Sequence, residues 1–256
     1  MPFTGAHPAI VLPFSRLKYV SASALIAGSM APDFEYFFKL SVESYFSHTL
    51  PGVVFYNVPL AVLLSVVFHR IVKKNLVHNL PPFFQRRLRP MLALNFIAYA
   101  KKHWGIVLMS ALLGALSHLF WDSFTHNGGY FAQLLDPLYS KIKVPWINGS
   151  RYPFFYALQQ ISTGVGLLVV LLYVVFLKPE PGPVTRINWL YWLSFVLIAI
   201  STILIRFTIH PSDYEIGNFV VTSVSGIILA LVVNGLLNFR NHGEAISMGA
   251  GRQTGR

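Results

Sequence analysis

Trp104-Gly-Ile-Val-Leu-Met-Ser110-Ala-Leu-Leu-Gly114-Ala-Leu-Ser-His118-Leu-Phe-Trp121-Asp122-Ser-Phe-Thr125-His126 is the stretch whose reading decides this chain. Up to Trp121 it is almost wholly apolar and close to the ~20 residues that cross a hydrocarbon core of about 30 Å as a helix. Its end carries three ionisable side chains at i, i+4 and i+8, His118, Asp122 and His126. On a helix, i and i+4 share a face, so imidazole and carboxylate can point at one object. A cluster of this kind at the rim of a membrane is costly to keep, which marks it as a candidate site.

Outward from this segment, the apolar pattern recurs. Residues 52–69, 156–177, 188–208 and 217–238 are further segments of about spanning length, with Pro59 expected to kink the first. The whole chain is 54% hydrophobic and 11% charged, with mean hydropathy +0.56. A soluble domain carries about 25% charged residues. The expected fold class is therefore all-α, a polytopic membrane helix bundle of about five spanning helices. Tyr19 to Met30 is helical in character but too short to cross, and suits a re-entrant or interfacial helix ended at Ala31-Pro32-Asp33. No cleavable signal peptide is evident at the N-terminus. Residues 79–90 read as an interfacial loop leading to a short helix at 91–102, and Asn127-Gly128-Gly129 as a helix stop. Residues 130–153 read as a long outer loop with Trp146 and Tyr152 at headgroup level. One membrane domain is expected over 1–242, with a glycine-rich, disordered tail over 243–256.

The net charge of +11 is unevenly spread. A basic loop (Arg70, Lys73, Lys74, Arg86, Arg87, Arg89, Lys101, Lys102), a turn (Lys178, Arg186) and the tail (Arg240, Arg252, Arg256) hold 13 of the 20 basic residues but only Glu180 and Glu244 of the acids. The positive-inside rule puts these in the cytoplasm, C-terminus included, and membrane lipids as their partners explain them without nucleic acid. His7, Asp33, His48, His118, Asp122 and His126 then gather at the opposite, outer face. His210-Pro-Ser-Asp213-Tyr-Glu215 falls on that face too, and reads as a solvated turn.

With no cysteine in the chain, a metal here would have only nitrogen and oxygen ligands. Imidazole and carboxylate suit Zn²⁺, with Mn²⁺ the second choice. Asp33 or Asp122 could bridge two ions, Glu35 fits a general base or a partner behind the ligands, and Thr125 and Ser47 could add hydrogen bonds. Each residue also has a plainer role: interfacial hydrogen bonding for a histidine, helix capping for Asp33, mutual pairing for Asp122 and His126. The joint placement favours the metal.

The blocks Met1-Pro-Phe-Thr-Gly-Ala-His7-Pro-Ala, Gly28-Ser-Met-Ala-Pro-Asp33-Phe-Glu-Tyr-Phe, Ser47-His48-Thr-Leu-Pro-Gly52 and Ser117-His118-Leu-Phe-Trp-Asp122-Ser-Phe-Thr-His126 together resemble a bacterial family of multi-pass membrane proteins known only as a domain of unknown function. More distantly, the chain is similar to bacterial inner-membrane proteins described as membrane-bound metal-dependent hydrolases, which are related to helical zinc phospholipases C. That resemblance implies His7, Asp33, His48, His118 and Asp122 as metal ligands and phosphoester-type hydrolysis as the chemistry. It is weaker at His126, and the His48 block lacks the Arg-Gly that precedes it in the hydrolases. The resulting expectation is a metal-dependent hydrolase of the bacterial inner membrane acting on an amphipathic, lipid-linked or envelope substrate, with Glu35 or His126 moving protons. The rivals are a transporter with an ion relay and a non-catalytic scaffold stapled by a metal.

Overall fold

The computed structural model describes residues 3–144, 151–237 and 239. The expected tail 243–256, with Arg252, Arg256 and Glu244, lies outside them, as do Trp146 and Arg240.

The chain is all-α. Its main helices are α1 (Ala22–Met30), α2 (Phe34–Lys39), α3 (Leu50–Asn79), α4 (Trp104–Thr125), α5 (Phe154–Val175), α6 (Trp189–Ile209) and α7 (Ile216–Leu236). Among the described residues, helices α3 to α7 are the five long and apolar enough to cross a membrane. The side chains they leave uncovered support that role. On α6, Leu193, Val196, Leu197, Ile200, Leu204 and Ile205 are all exposed, an apolar surface that water would not tolerate and lipid would. At nine residues α1 is about 14 Å long, less than half of a hydrocarbon core of about 30 Å.

The chain divides into two compact units. The first comprises Met1–Lys39, Glu43–Ser65 and Ile97–Tyr173, and the second Leu40–Val42, Val66–Phe96 and Val174–Arg256.

In the first unit, α1 lies directly on α4. Small residues make this close approach available: a Cβ on Gly28 would overlap the Ala111 carbonyl, and one on Gly114 would overlap the Leu25 carbonyl. Ser110 adds a polar tie, its Oγ accepting from the Ser21 N–H at 2.9 Å. The N-terminal segment is fixed on α5, where the Phe3 N–H donates to Thr163 Oγ1 at 3.1 Å and Ser15 Oγ meets Tyr173 Oη at 3.0 Å. Helix α4 stops at Thr125, as the following Asn-Gly-Gly demands, and Gly128 takes a left-handed φ of 84°.

The second unit is tied together by side-chain amides. Asn75 Nδ2 donates to the carbonyls of Asn234, Gly235 and Leu237 at the end of α7. Gln85 Nε2 donates to His78, Leu80 and Thr185 carbonyls, and Asn234 Nδ2 to the Tyr191 carbonyl at 2.8 Å.

Several boundaries differ from those the sequence predicts. The first span runs on to Asn79, so Arg70, Lys73 and Lys74 sit in α3 rather than in a loop. Hydropathy stops at a charge, whereas a helix does not: Lys73 is buried, its ammonium donating to the Met91 and Leu94 carbonyls at 2.8 and 2.6 Å. Helix α3 continues through Pro59. Pro59 has no N–H to give Phe55, and the turn just before it, Val53–Asn57, is widened to a π-helix. The segment 79–102 forms three short helices, Pro82–Leu88, Pro90–Ala93 and Phe96–Lys102, instead of one. The expected loop over 130–153 holds short helices at Tyr130–Leu134 and Asp136–Tyr139, and an antiparallel pair, Lys141–Lys143 with Arg151–Pro153.

Candidate metal centre

The stripe Ser110, Gly114, His118, Asp122 repeats every four residues along α4, and all four residues are buried. Ser110 and Gly114 seat α1. One turn further, His118 meets the same helix: its Nδ1 lies 2.8 Å from the Ser29 carbonyl, which can only accept, so Nδ1 carries a proton. The other ring nitrogen, Nε2, is left facing Asp33 Oδ1 at 3.4 Å and Asp122 Oδ2 at 3.2 Å.

Asp33 arrives from the 3₁₀ turn Ala31–Asp33 that continues α1, and is fully buried. Thr4 Oγ1 donates to its Oδ2 at 2.5 Å, leaving Oδ1 turned toward the histidines. His48 comes from the non-helical segment before α3. Its Nε2 stands 3.7 Å from both Asp33 Oδ1 and Asp122 Oδ2. Thr49 caps α3 by accepting the Gly52 N–H, and Asn57 Nδ2 donates to the Ser47 carbonyl at 2.7 Å, so both flanks of His48 are fastened. His7 enters from the N-terminal segment, its ring stacked on His118 at 3.7 Å between centroids and its Nε2 3.6 Å from Asp122 Oδ1.

Among the described residues, His7 Nε2, Asp33 Oδ1, His48 Nε2, His118 Nε2 and Asp122 Oδ1 are buried without a hydrogen-bond partner. Native interiors keep such orphans rare, and here five converge on one another. A neutral imidazole lone pair aimed at a carboxylate is repelled by it, and a cation between them reverses the sign. The spacing fits as well. Four ligands at zinc-like bond lengths of about 2.0–2.2 Å form a tetrahedron with edges of about 3.3–3.6 Å, and the nitrogen–oxygen separations among His48, His118, Asp33 and Asp122 run from 3.2 to 3.7 Å. Two triads, His7–His118–Asp122 and Asp33–His48–His118, each bring their ligand atoms within 4.8 Å of one another. Donors, spacing and orphaned atoms all fit a divalent ion.

The charge states of His7 and Asp33 agree with this. Burial, reinforced by the neighbouring His118 and only partly opposed by Asp122 and Asp33, lowers His7 to about 3, so its ring is neutral at pH 7, with one nitrogen lone pair free to ligate. For Asp33 burial works upward, but the facing His118, His48 and His7 outweigh it and hold the carboxyl well below its usual range, so it is ionised. Neutral imidazole and ionised carboxylate are the states that ligate.

Two sequence candidates stand beside this group. His126 Nδ1 faces the Asp122 backbone oxygen at 3.2 Å, Asp122 Oδ1 at 3.5 Å and Thr125 Oγ1 at 3.3 Å; the Thr125 hydroxyl gives its proton to the Trp121 carbonyl, so Nδ1 carries a proton and donates. Its Nε2 meets Gln159 Nε2 at 3.4 Å. The Glu35 carboxylate instead turns back on its own segment and reaches the group through Ser44, whose Oγ touches both Glu35 Oε2 and His48 Nδ1, and through Ser47, whose N–H donates to Oε2 and whose Oγ lies by Nδ1. Hydrogen bonds from Lys39, Tyr45, Ser47 and Ser44 overcome its burial and keep it well below the ordinary carboxylate range. His210 and Asp213 belong to the second unit, where Asp213 Oδ2 pairs with Arg206 at 2.6 Å.

Thr4, Ser29, Ser44 and Gln159 touch these residues and are not evident from the sequence. Ser29 acts through its backbone and leaves no side-chain signal. The Ala24-x-x-x-Gly28 and Ser110-x-x-x-Gly114 spacings are the trace that could have placed α1 on α4.

A family model described as a domain of unknown function (DUF4184) matches residues 1–236. The chain belongs to this family. Its matched region contains every residue of the centre, so the His/Asp group lies inside the part of the chain that DUF4184 describes. No curated protein and no solved structure matches.

Proposed function

We propose that this multi-pass membrane protein is a metal-dependent hydrolase of the bacterial inner membrane, acting on a phosphoester or related bond in a lipid-linked or envelope substrate. The observation that carries the reading is the convergence of buried, unpartnered His and Asp ligand atoms at the end of a spanning helix. His7, Asp33, His48, His118 and Asp122 would hold the ion, Zn²⁺ before Mn²⁺. A bound ion supplies Lewis acidity and lowers the pKa of a water to about 7. The chain's own residues prepare the rest. His118 and Asp33 are sealed from solvent, while His48 and His126 retain 24% and 27% side-chain exposure, so substrate approaches past these two rings. His126, a proton donor at that mouth, is placed to move a proton. Glu35, with its oxygens taken up by its own segment, is not, and the proton-moving role passes to His126 alone.

A site at the end of a spanning helix favours an amphipathic substrate whose apolar part stays in the bilayer. The basic residues orient the protein with its C-terminus in the cytoplasm and the centre outside, lipids being its surroundings and nucleic acid no partner. The test is phosphate or phospho-headgroup release from phospholipid and polyprenyl-phosphate substrates by the zinc- or manganese-loaded protein. Turnover lost in Asp33→Asn supports the reading; no turnover of any such substrate by metal-loaded wild type counts against hydrolysis.

A further inference from the structure

His48 differs from the other proposed ligands in how it is held. His118 and Asp122 sit on a long helix and Asp33 on a turn continuous with α1, whereas His48 follows a segment, 43–47, that lies outside any helix. What shapes that segment is Glu35. Its carboxylate accepts the successive backbone N–H groups of Tyr45, Phe46 and Ser47 at 3.0, 3.2 and 2.9 Å, together with Lys39 Nζ at 2.7 Å and Ser44 Oγ at 2.9 Å.

The proton count then fixes the His48 ring. Ser44 has a single hydroxyl proton and gives it to Glu35 Oε2. Toward His48 Nδ1, 3.0 Å away, Ser44 Oγ can therefore only accept, which puts the proton on Nδ1 and the lone pair on Nε2. That lone pair is the one aimed between Asp33 and Asp122. Ser47 Oγ, also 3.0 Å from Nδ1, is compatible with this by accepting a share of the same proton.

We infer that Glu35 and Ser44 are positioning residues for the metal: a carboxylate–hydroxyl–imidazole chain holds His48 in the ligating tautomer and orientation, and so sets the affinity of the site. The inference rests on the metal reading above. Partners behind a ligating histidine commonly contribute about 10- to 100-fold to metal affinity.

The experiment is titration of the purified full-length protein with Co²⁺ and with Zn²⁺ against a competing chelator, reading both affinity and the visible cobalt spectrum. Ser44→Ala removes the link and leaves the backbone N–H groups on Glu35 in place. Affinity is expected to fall about 10- to 100-fold with an altered cobalt spectrum, and Ser44→Thr to restore both. Glu35→Gln should fall in the same direction. Lys39→Ala, which touches Glu35 but not the link, should stay within about twofold, against about 10-fold or more for loss of the link. Ser44→Ala binding cobalt as wild type does, with the same spectrum, overturns the inference alone. A wild type that takes up neither metal overturns the metal reading as well.

Discussion

Both units bury polar side chains in a chain that is mostly apolar, and they resolve the cost in opposite ways. In the second unit the amides of Asn75, Gln85 and Asn234 each find carbonyl partners, and those of Asn75 include carbonyls that the end of α7 leaves open. Tyr191 Oη, Thr222 Oγ1, Arg86 Nε and Arg206 Nη1 remain unpartnered there, but these are hydroxyls and guanidinium donors, not imidazole or carboxylate atoms that could share a cation. The first unit leaves imidazole nitrogens and carboxylate oxygens facing each other unpaired. A closed network is structural; an open one built of ligating atoms has room for one more component. The contrast places the His/Asp group that could hold a metal in the first unit, from burial and hydrogen bonding alone.

The most severe way to break the contrast is to remove one member of the open group. His118→Ala is expected to abolish metal uptake and to destabilise the fold by about 3–5 kcal/mol, since it strands the buried carboxylates of Asp33 and Asp122. Metal analysis and thermal unfolding of the detergent-solubilised protein check both effects. Stripping the metal from wild type comes next. At a free metal concentration of 1,000 times Kd, the loss is about 4 kcal/mol, seen as a lower Tm that returns with metal. Asn75→Ala sharpens the contrast from the other side: it should cost about 1–3 kcal/mol by orphaning the carbonyls that end α7, with metal content unchanged.

How much of this is legible in the sequence depends on the kind of signal. Spanning helices declare themselves by unbroken apolar length, and His118 and Asp122 by a four-residue spacing that needs no tertiary knowledge. His7, Asp33 and His48 could be joined to them only through a topology argument and a family resemblance, and the structure does bring all five together. Helix ends were harder, as Lys73 illustrates: a buried ammonium capping two carbonyls is indistinguishable in sequence from a loop lysine. Glu35 shows the deepest limit. Its partners are mostly backbone N–H groups, which every residue carries, so no pattern of side chains announces them.

Smaller effects follow from packing and pH. Gly114→Ala puts a methyl against the Leu25 carbonyl and should cost about 1–3 kcal/mol, while weakening metal binding, because the same helix contact brings Ser29 to His118. In the metal-free protein, His7 is held at about 3, below the free-imidazole value of about 6.5, so the unfolded state binds the extra proton first. Stability is therefore whole above about pH 6.5 and declines as pH falls toward 3. The depressed Asp33 acts in the same sense, its contribution being lost as acid reaches its folded pKa. Denaturant midpoints between pH 4 and pH 8 read the slope, and His7→Asn should flatten it.

The central claim, that the open cluster is a metal site, is tested most directly by elemental mass spectrometry of wild-type protein purified without chelators, beside Asp122→Ala. The account predicts at least about one equivalent of a divalent ion, zinc before manganese, in wild type and almost none in the variant. No metal in wild type, and none after re-addition of Zn²⁺ or Mn²⁺, would contradict it and leave His118 as a buried imidazolium stapling Asp33 to Asp122.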